Sequence, residues 1–406
     1  MDPSQGAHAD AVQAIGNTPL IRLNSYAPDI CDSEIWVKLE RCNPGGSIKD
    51  RIALQMVLDG EAEGLLKEGG TIVEATSGNT GIGLAMVAAQ RGYRCIFTIP
   101  DKMSNEKINL LRAIGADVHV CPTAVDKEDP RSYYEVAARL AREIEGAWYP
   151  DQYSHMANPR AHELQTGPEI WAQWAQTGGG EFSHFIATMG TGGTITGCAR
   201  AFAELAERDG TPAPRNIGVD AVGSILKQWF DEGTLGEPHT YKVEGFGEDF
   251  IPAATDFSTI DEIIQVDDET CFRAARRLAR SEGLFCGGSS GAALAAAEQV
   301  AADHAGQAQA EPQAAFAADR TAAADHYHHQ PVVRVVEHRR IAVAEQFIKH
   351  QGAAAGDFTG RDAFGKPLGA VQLRQAAQAG GGVLAVVDDP RQGGEIEPLR
   401  RVPAAE

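Results

Sequence analysis

One lysine stands in a setting that favours chemistry. A glycine-rich turn at residues 43–47 delivers Lys49 to the start of a segment with helical apolar periodicity. Taken alone, a lysine after such a turn is usually a solvated charge on the protein surface. Three further glycine-rich turns change that interpretation, because such turns allow a backbone to approach a ligand closely. They are residues 76–81, 190–194 and 287–291.

The turn at residues 190–194 has the composition of an anion-binding site. Residues 190–194 read Gly-Thr-Gly-Gly-Thr and stand between an apolar strand and a helix. Consecutive glycines let backbone N–H groups close around an anion, and a helix N-terminus adds a favourable dipole. Thr191 and Thr194 add hydroxyl donors. The lysine of a nucleoside-triphosphate loop is missing, so the turn predicts a phosphate cradle of another kind. Alone, it fits a ligand-free loop equally well.

The four turns, together and in this order, resemble those of the fold-type II pyridoxal-phosphate (PLP) enzymes, the family of cysteine synthase and cystathionine β-synthase. The resemblance runs from about Val12 to about Val300. It implies an α/β fold of the tryptophan synthase β type, in which two three-layer subdomains enclose the active site in a cleft. It also implies that the chain is an enzyme that uses PLP.

The resemblance assigns the cofactor contacts. Lys49 is expected to form the Schiff base with PLP and to act as general base, which requires an amine that is neutral part of the time. Asn79 is expected to bind the 3′-oxygen and Ser289 the pyridine nitrogen. A hydroxyl there makes PLP a weaker electron sink than a carboxylic acid would, which suits β-elimination and disfavours transamination. The phosphate is assigned to Gly190, Thr191, Gly192, Gly193 and Thr194.

By the same resemblance, the second turn grips the α-carboxylate of an amino acid. The residues concerned are Thr76, Ser77, Gly78, Asn79 and Thr80. An ordinary helix cap explains Ser77 and Asn79 separately, although not the whole run. We expect Asp50 and Arg51 to be structural and to pair locally, so that they hold the lysine turn.

Two β-replacement reactions compete. Cystathionine β-synthase uses L-serine and L-homocysteine, and cysteine synthase uses O-acetylserine and sulfide. Hydroxide is the worse leaving group, so a serine enzyme needs polar help at the β-oxygen. The acidic loop at residues 243–252, which contains Gly245, Phe246 and Gly247, resembles the cystathionine β-synthase version. Gln152 and Tyr153 match the same branch, and we favour it. Tyr153 either supplies a hydroxyl to the substrate or is a core aromatic.

The C-terminal region leaves a different class open. The family closes its large subdomain with an apolar strand directly after the last core helix, and that pattern is not found. Either residues 332–336 substitute for it, or the tail is an unrelated extension. A chain with a broken closing strand would act as a regulatory protein that binds PLP without turnover.

Strands alternate with helices of 10 to 15 residues, which predicts parallel sheets. We expect a catalytic core at residues 1–302, with a smaller mobile subdomain at about 41–149 and a larger one at about 1–40 plus 150–302. Residues 303–330, rich in Ala, Gln, Asp and His, are predicted to be a linker. Residues 331–406 are a C-terminal extension of unclear nature.

The composition argues against nucleic acid and membranes as binding partners. The chain has 406 residues, 43% of them apolar, and a formal net charge of −20, which argues against nucleic acid and anionic membranes. No secretory signal is visible, and seven scattered cysteines favour reduced thiols in the cytoplasm. We expect no metal site, although His326, His328 and His329 are clustered. The family resemblance implies amino-acid substrates and a homodimer or a higher homo-oligomer.

Overall fold

The computed structural model describes residues 7–26, 33–319 and 340–344, apart from positions 77, 104, 127 and 179. The first of two compact units, residues 1–351, contains every helix and strand described below. Within it, strands and helices alternate and form two sheets that are almost entirely parallel. The predicted α/β alternation is therefore confirmed.

The smaller sheet has four parallel strands in the order β5-β4-β3-β6. Its strands are β3 (Thr71–Ala75), β4 (Arg94–Pro100), β5 (Asp117–Cys121) and β6 (Ala147–Trp148). The helices of this part are α1 (Lys49–Ala62), α2 (Asn79–Arg91), α3 (Asn105–Ala113) and α4 (Tyr133–Glu143). All of these elements fall within residues 41–149, the range predicted for the smaller subdomain, whose boundaries stay a prediction.

The larger sheet has six strands in the order β1-β2-β10-β7-β8-β9, and only β1 is antiparallel to its neighbour. Its strands are β1 (Leu20–Arg22), β2 (Glu34–Lys38), β7 (Phe182–Thr188), β8 (Arg215–Ala221), β9 (Glu262–Val266) and β10 (Arg340–Ala344). The helices are α5 (Ala157–Ala161), α6 (Gly167–Ala175), α7 (Gly193–Asp209), α8 (Leu226–Glu232), α9 (Asp268–Glu282) and α10 (Gly288–Asp319). A π-helical turn, His162–Thr166, joins α5 to α6.

Two of the glycine-rich turns follow strands that are buried along their whole length. Every residue of β3 and of β7 is buried, as expected for central strands with helices on both faces. The substrate turn follows β3 and leads into α2, and the phosphate turn follows β7 and leads into α7. The carboxyl ends of parallel strands are where α/β proteins bind ligands. The topology therefore places both turns where a site is expected.

The closing position of the larger sheet is filled by β10. This strand pairs in parallel with β2 on one side and with β7 on the other. It belongs to the predicted C-terminal extension, so the sheet continues past residue 302, where we expected the core to end. The strand follows α10 only after a long interval, which is why the sequence pattern did not reveal it. Residues 332–336, the proposed substitute, lie outside the described residues.

The predicted linker begins as helix. Helix α10 runs to Asp319, so residues 303–319 continue it. Alanine and glutamine have high intrinsic helix propensity, and this preference explains a helix in a segment without clear apolar periodicity. The rest of the predicted linker lies outside the described residues.

A buried ion network anchors the lysine turn to the larger part of the fold. The Arg51 side chain is fully buried and donates in bidentate fashion to Glu40, at 2.7 and 2.8 Å, and to Glu169, at 2.8 Å twice. Lys38 Nζ donates to Glu169 at 2.9 Å. Asp50 instead accepts from the Gly45 N–H within the turn. Both residues are structural, as expected, but Arg51 pairs with distant carboxylates and not with its neighbour.

Replacing Arg51 by methionine is expected to lower the free energy of unfolding by about 3–5 kcal/mol, because it leaves buried carboxylates without their counter-charge. Urea unfolding measures the change. Arg208 is a matched control, since its ion pair with Asp209 lies on the surface. Arg208→Met is expected to leave the urea midpoint unchanged. A midpoint for Arg51→Met that equals that of Arg208→Met would contradict this account of the network.

Candidate active site

A cavity of about 700 Å³ lies against the turns at residues 76–81 and 190–194, and Lys49 also lines it. Ten of the predicted site residues line it: Lys49, Asn79, Thr80, Gln152, Tyr153, Gly190, Thr191, Gly245, Phe246 and Gly247. These residues come from distant parts of the sequence, and the fold brings them to one place. The cavity volume is within the range that small-molecule sites have.

The remaining predicted residues lie behind this surface. Thr76, Gly78, Gly192, Gly193, Thr194 and Ser289 are buried and do not belong to the lining. Thr76 Oγ1 accepts from the N–H groups of Gly78, at 3.1 Å, and Gly81, at 3.2 Å. In this structure its hydroxyl therefore shapes the substrate turn from inside. Ser77 lies outside the described residues, and the binding roles of all these residues stay predictions.

Lys49 is the first residue of α1 and projects into the cavity from a partly buried position. Burial lowers the pKa of its amine to about 8, and the Glu248 carboxylate partly opposes that shift. Glu248 lines the same cavity. An amine with this pKa is neutral in a substantial fraction at physiological pH, which a nucleophile or a general base requires.

The pKa of Lys49 predicts how imine formation depends on pH. The rate at which the protein freed of cofactor captures PLP covalently is expected to rise with pH to a plateau, with a midpoint near 8, because only the neutral amine attacks. Stopped-flow absorbance between pH 6 and 10 measures this rate. A midpoint near 10.5, the ordinary lysine value, would contradict the inferred burial.

The phosphate turn is closely packed and leaves no space for larger side chains at Gly192 and Gly193. Gly192 caps α7 with φ +72°, and a Cβ built there would lie 1.8 Å from Thr255 Oγ1. A Cβ on Gly193 would lie 1.9 Å from Asn158 Oδ1. The N-cap residue Gly192 has no side chain, and Thr191 Oγ1 accepts from the Gly193 N–H at 3.4 Å. Glycines forced by close packing at a helix N-terminus fit a phosphate held by backbone N–H groups.

Three residues that the sequence analysis missed support this turn. Asn158 Nδ2 donates to Thr191 Oγ1 at 2.9 Å, and Thr255 Oγ1 donates to the Thr191 carbonyl at 3.2 Å. His162 Nε2 lies 3.3 Å from Thr194 Oγ1. Burial holds the pKa of His162 well below its usual value, so its ring stays neutral. These residues lie outside the glycine-rich motifs, and no spacing in the sequence indicated them.

The substrate turn is tied to the segment that follows β6. Gly78 adopts φ +135°, which favours glycine. Thr80 Oγ1 donates to Gln152 Oε1 at 2.6 Å, and Gln152 Nε2 donates to the Ala75 carbonyl at 3.4 Å. Gln152, predicted as a substrate residue, is thus also a support for the turn.

Aromatic rings surround the Tyr153 side chain in the cavity. Tyr153 lies edge-on to Phe250, with ring centroids 5.1 Å apart, and to Tyr134, at 6.1 Å. Burial and the Glu248 carboxylate hold the pKa of the Tyr153 phenol well above its usual value. Its hydroxyl therefore remains a hydrogen-bond donor. Tyr134 lines the cavity too and was not predicted.

Ser289 stands in the first turn of α10 and is fully buried. The preceding Gly288 packs against the acidic loop, since a Cβ there would lie 2.9 Å from Val243 Cγ1. This packing places the start of α10 next to the loop that lines the cavity. The contact of Ser289 with the pyridine nitrogen stays a prediction.

Opposite charges face each other at the cavity. Lys102, in the turn after β4, and Lys107, on α3, line it together with Glu244, Glu248 and Asp249 of the acidic loop. Lys107 and Glu244 form an ion pair across the cavity. Among the described residues, no cluster of His, Cys, Asp or Glu forms a metal site. His326, His328 and His329 lie outside them.

The sequence pattern of the family described as "Pyridoxal-phosphate dependent enzyme" matches residues 11–312. A cystathionine beta-synthase of Apis mellifera is 48% identical over 295 residues, which are 72% of this chain and 56% of that protein. A probable cysteine synthase of Bacillus subtilis is 42% identical over 293 residues, 72% of this chain and 89% of that protein. The chain spans about half the length of the cystathionine beta-synthases it matches.

A solved structure agrees with these sequences. The O-acetylserine dependent cystathionine beta-synthase from Helicobacter pylori superposes with a TM-score of 0.69 at 32% identity, covering 87% of this chain and 99% of that one. None of the described helices combines the length and apolar character that crossing a bilayer requires. The predicted fold type, the enzyme class and the PLP cofactor are confirmed by these likenesses. The chain belongs to the family of pyridoxal-phosphate dependent enzymes.

Proposed function

We propose that the protein catalyses a β-replacement in which L-serine condenses with L-homocysteine to cystathionine. The observation that carries the proposal is the placement of Tyr153 and Glu248 in the cavity that Lys49 enters. A phenol that stays protonated in the same cavity as the reacting amine suits a substrate with a poor leaving group. The name of the Apis mellifera relative supports the same reaction.

The residues of this chain have separate tasks in the proposed reaction. PLP supplies the electron sink that makes the proton on the α-carbon of the amino acid acidic. The turn at residues 76–80 binds the α-carboxylate, and the neutral Lys49 amine takes the α-proton. Residues 190–194 hold the cofactor phosphate through backbone N–H groups. The hydroxyl of Ser289 bonds to the pyridine nitrogen.

The leaving group distinguishes serine from its acetyl ester. Hydroxide leaves readily only if its oxygen receives a hydrogen bond or a proton as the bond to the β-carbon breaks. Tyr153 is the candidate donor, because its raised pKa keeps the hydroxyl protonated and Phe250 and Tyr134 fix its ring. Acetate needs no such donor.

The charge pattern of the cavity favours an amino acid as the thiol substrate. Besides the Lys107–Glu244 ion pair, Lys102 and the carboxylates of Glu248 and Asp249 line the cavity, and they complement the carboxylate and the ammonium group of homocysteine. Inorganic sulfide offers neither group. This complementarity supports the cystathionine reaction over the formation of cysteine from sulfide.

The alternative function is that of a cysteine synthase, which forms L-cysteine from O-acetylserine and sulfide. The Bacillus subtilis relative, whose name gives this activity, is matched over nearly its whole length. A catalytically impaired PLP-binding regulatory protein is the third proposal. This third proposal was based on a missing closing strand. It has less support because β10 occupies that position in the larger sheet.

A spectral titration of the purified holoenzyme tests the proposal. L-Serine alone is expected to shift the visible absorbance of the bound cofactor, and L-homocysteine is then expected to restore it. A response to O-acetyl-L-serine alone, restored by sulfide, would instead identify a cysteine synthase. A response to O-acetyl-L-serine restored only by homocysteine would match the activity for which the Helicobacter pylori enzyme is named. No response to any amino acid would support the regulatory protein.

We further propose a cytoplasmic homodimer. The family resemblance and the small-molecule substrates support this assignment. Light scattering on the purified protein measures the assembly, and a mass equal to one 43.2 kDa chain would contradict it.

A further inference from the structure

A buried carboxylate outside the predicted site holds the segment that leads into it. Glu74 lies on β3 and is fully buried. Its Oε2 accepts from the Asp151 N–H at 3.0 Å, and its Oε1 accepts from the Gln152 N–H at 3.1 Å. Among the described residues, no arginine or lysine forms an ion pair with Glu74. Its two acceptors thus serve one short piece of backbone.

Burying the Glu74 carboxyl group without a counter-charge costs free energy, which indicates that the group has a specific task. Burial raises the pKa of Glu74 to about 8, since a carboxyl without a counter-charge is poorly solvated there. The segment it holds is unusual too. Asp151 adopts φ +51°, and it is one of only two non-glycine residues with positive φ among those described. Residues in this region of conformational space persist where the surroundings fix them, and they cluster at functional sites.

The held segment connects the two turns of the proposed site. The Gln152 side chain accepts from Thr80 at 2.6 Å, on the substrate turn. The Gln152 carbonyl accepts from Asn158 Nδ2 at 2.7 Å, and the same amide donates to Thr191 at 2.9 Å, on the phosphate turn. A continuous chain of hydrogen bonds therefore runs from one turn to the other through Gln152.

We propose that Glu74 is a positioning residue, which fixes the backbone of Gln152 so that Gln152 ties the substrate turn to the cofactor-phosphate turn. The inference rests on the proposed roles of these two turns. Among the described residues, the Glu74 side chain accepts hydrogen bonds from Asp151 and Gln152, which lie outside both turns. It acts through Gln152, and its loss loosens the grip on the cofactor phosphate and on the substrate carboxylate together.

The test uses Glu74→Gln, an isosteric change that removes one of the two acceptors. Equilibrium dialysis of PLP against the protein freed of cofactor gives the cofactor dissociation constant. The absorbance of the holoenzyme gives the dissociation constant for L-serine. Both constants are expected to rise about tenfold. Values within twofold of those of the unaltered protein would overturn the proposal.

Asp220→Asn is the matched control. Asp220 is also a fully buried carboxylate, on β8, and it accepts from two backbone N–H groups, those of Ala221 at 2.9 Å and Lys227 at 3.0 Å. It does not line the cavity. Asp220→Asn is expected to lower the urea midpoint as Glu74→Gln does, while both dissociation constants stay within twofold. Equal shifts in the two variants would reduce the effect to general destabilisation and overturn the proposal.

A second variant keeps the test decisive if Glu74→Gln does not fold. Gln152→Ala removes the side-chain link to Thr80 and keeps the backbone bonds to Glu74, so it is expected to raise the L-serine constant with a smaller effect on PLP. An unchanged L-serine constant would overturn the proposal. If the unaltered protein responds to no amino acid, the proposed function fails, while the PLP constants of Glu74→Gln still decide the role of Glu74.

Discussion

Replacing Lys49 by alanine is expected to lower the rate of product formation by about 1000-fold or more, because the variant lacks the amine that is proposed both to bond to PLP and to act as general base. PLP is still expected to bind through the phosphate turn, without a covalent bond. Borohydride reduction followed by peptide mass analysis separates the two states. The reduced holoenzyme should carry the cofactor on the peptide that contains Lys49, and the variant should carry it on no peptide.

Lys102→Ala is the matched control for this experiment. Lys102 lines the same cavity but is exposed, whereas Lys49 is partly buried. The variant is expected to keep the covalent label on Lys49. If the label moved to or remained on Lys102 in the Lys49→Ala variant at full yield, the assignment of the covalent lysine would be wrong.

The second large effect is expected at the N-terminus of α7. Gly192→Ala places a methyl carbon 1.8 Å from Thr255 Oγ1, so the turn that is proposed to hold the phosphate must shift. We expect the PLP dissociation constant to rise about 100-fold, which corresponds to about 2.7 kcal/mol. Fluorescence titration of the protein freed of cofactor measures the constant.

The other end of the same helix provides the control. Gly210 caps α7 at its C-terminus with φ +66°, close to the φ of +72° at Gly192, and a Cβ there meets nothing within 4 Å. Gly210→Ala and Gly192→Ala therefore share the backbone strain of a left-handed residue, about 1–2 kcal/mol. Only Gly192→Ala is expected to weaken PLP binding. Equal PLP affinities in the two variants would contradict the placement of the phosphate.

The parts of the site that could be predicted are those that local sequence encodes. A glycine-rich turn after a β-branched run is recognisable because the turn requires glycine and the buried strand requires apolar residues. For this reason the sequence predicts the turns at or next to Lys49, Asn79 and Thr191, and the structure brings these three residues to one cavity.

The supporting residues could not be found in this way. Glu74, Asn158 and His162 act through tertiary contacts, and no periodicity or spacing distinguishes them from ordinary strand or helix residues. Strand β10 was not predicted for the same reason, because its five residues are placed by tertiary pairing with β2 and β7. The partners of Arg51 were not predicted either, because Glu40 and Glu169 lie outside the lysine turn.

The most direct test of the proposed reaction is product analysis with a labelled substrate. The purified holoenzyme is incubated with uniformly ¹³C-labelled L-serine and unlabelled L-homocysteine, and the products are separated and weighed by mass spectrometry. The proposed reaction predicts cystathionine that carries all three labelled carbons, and it predicts that the Lys49→Ala variant does not form this product. If serine gave no cystathionine while O-acetylserine and sulfide gave cysteine, the proposed role of Tyr153 and Glu248 would be contradicted.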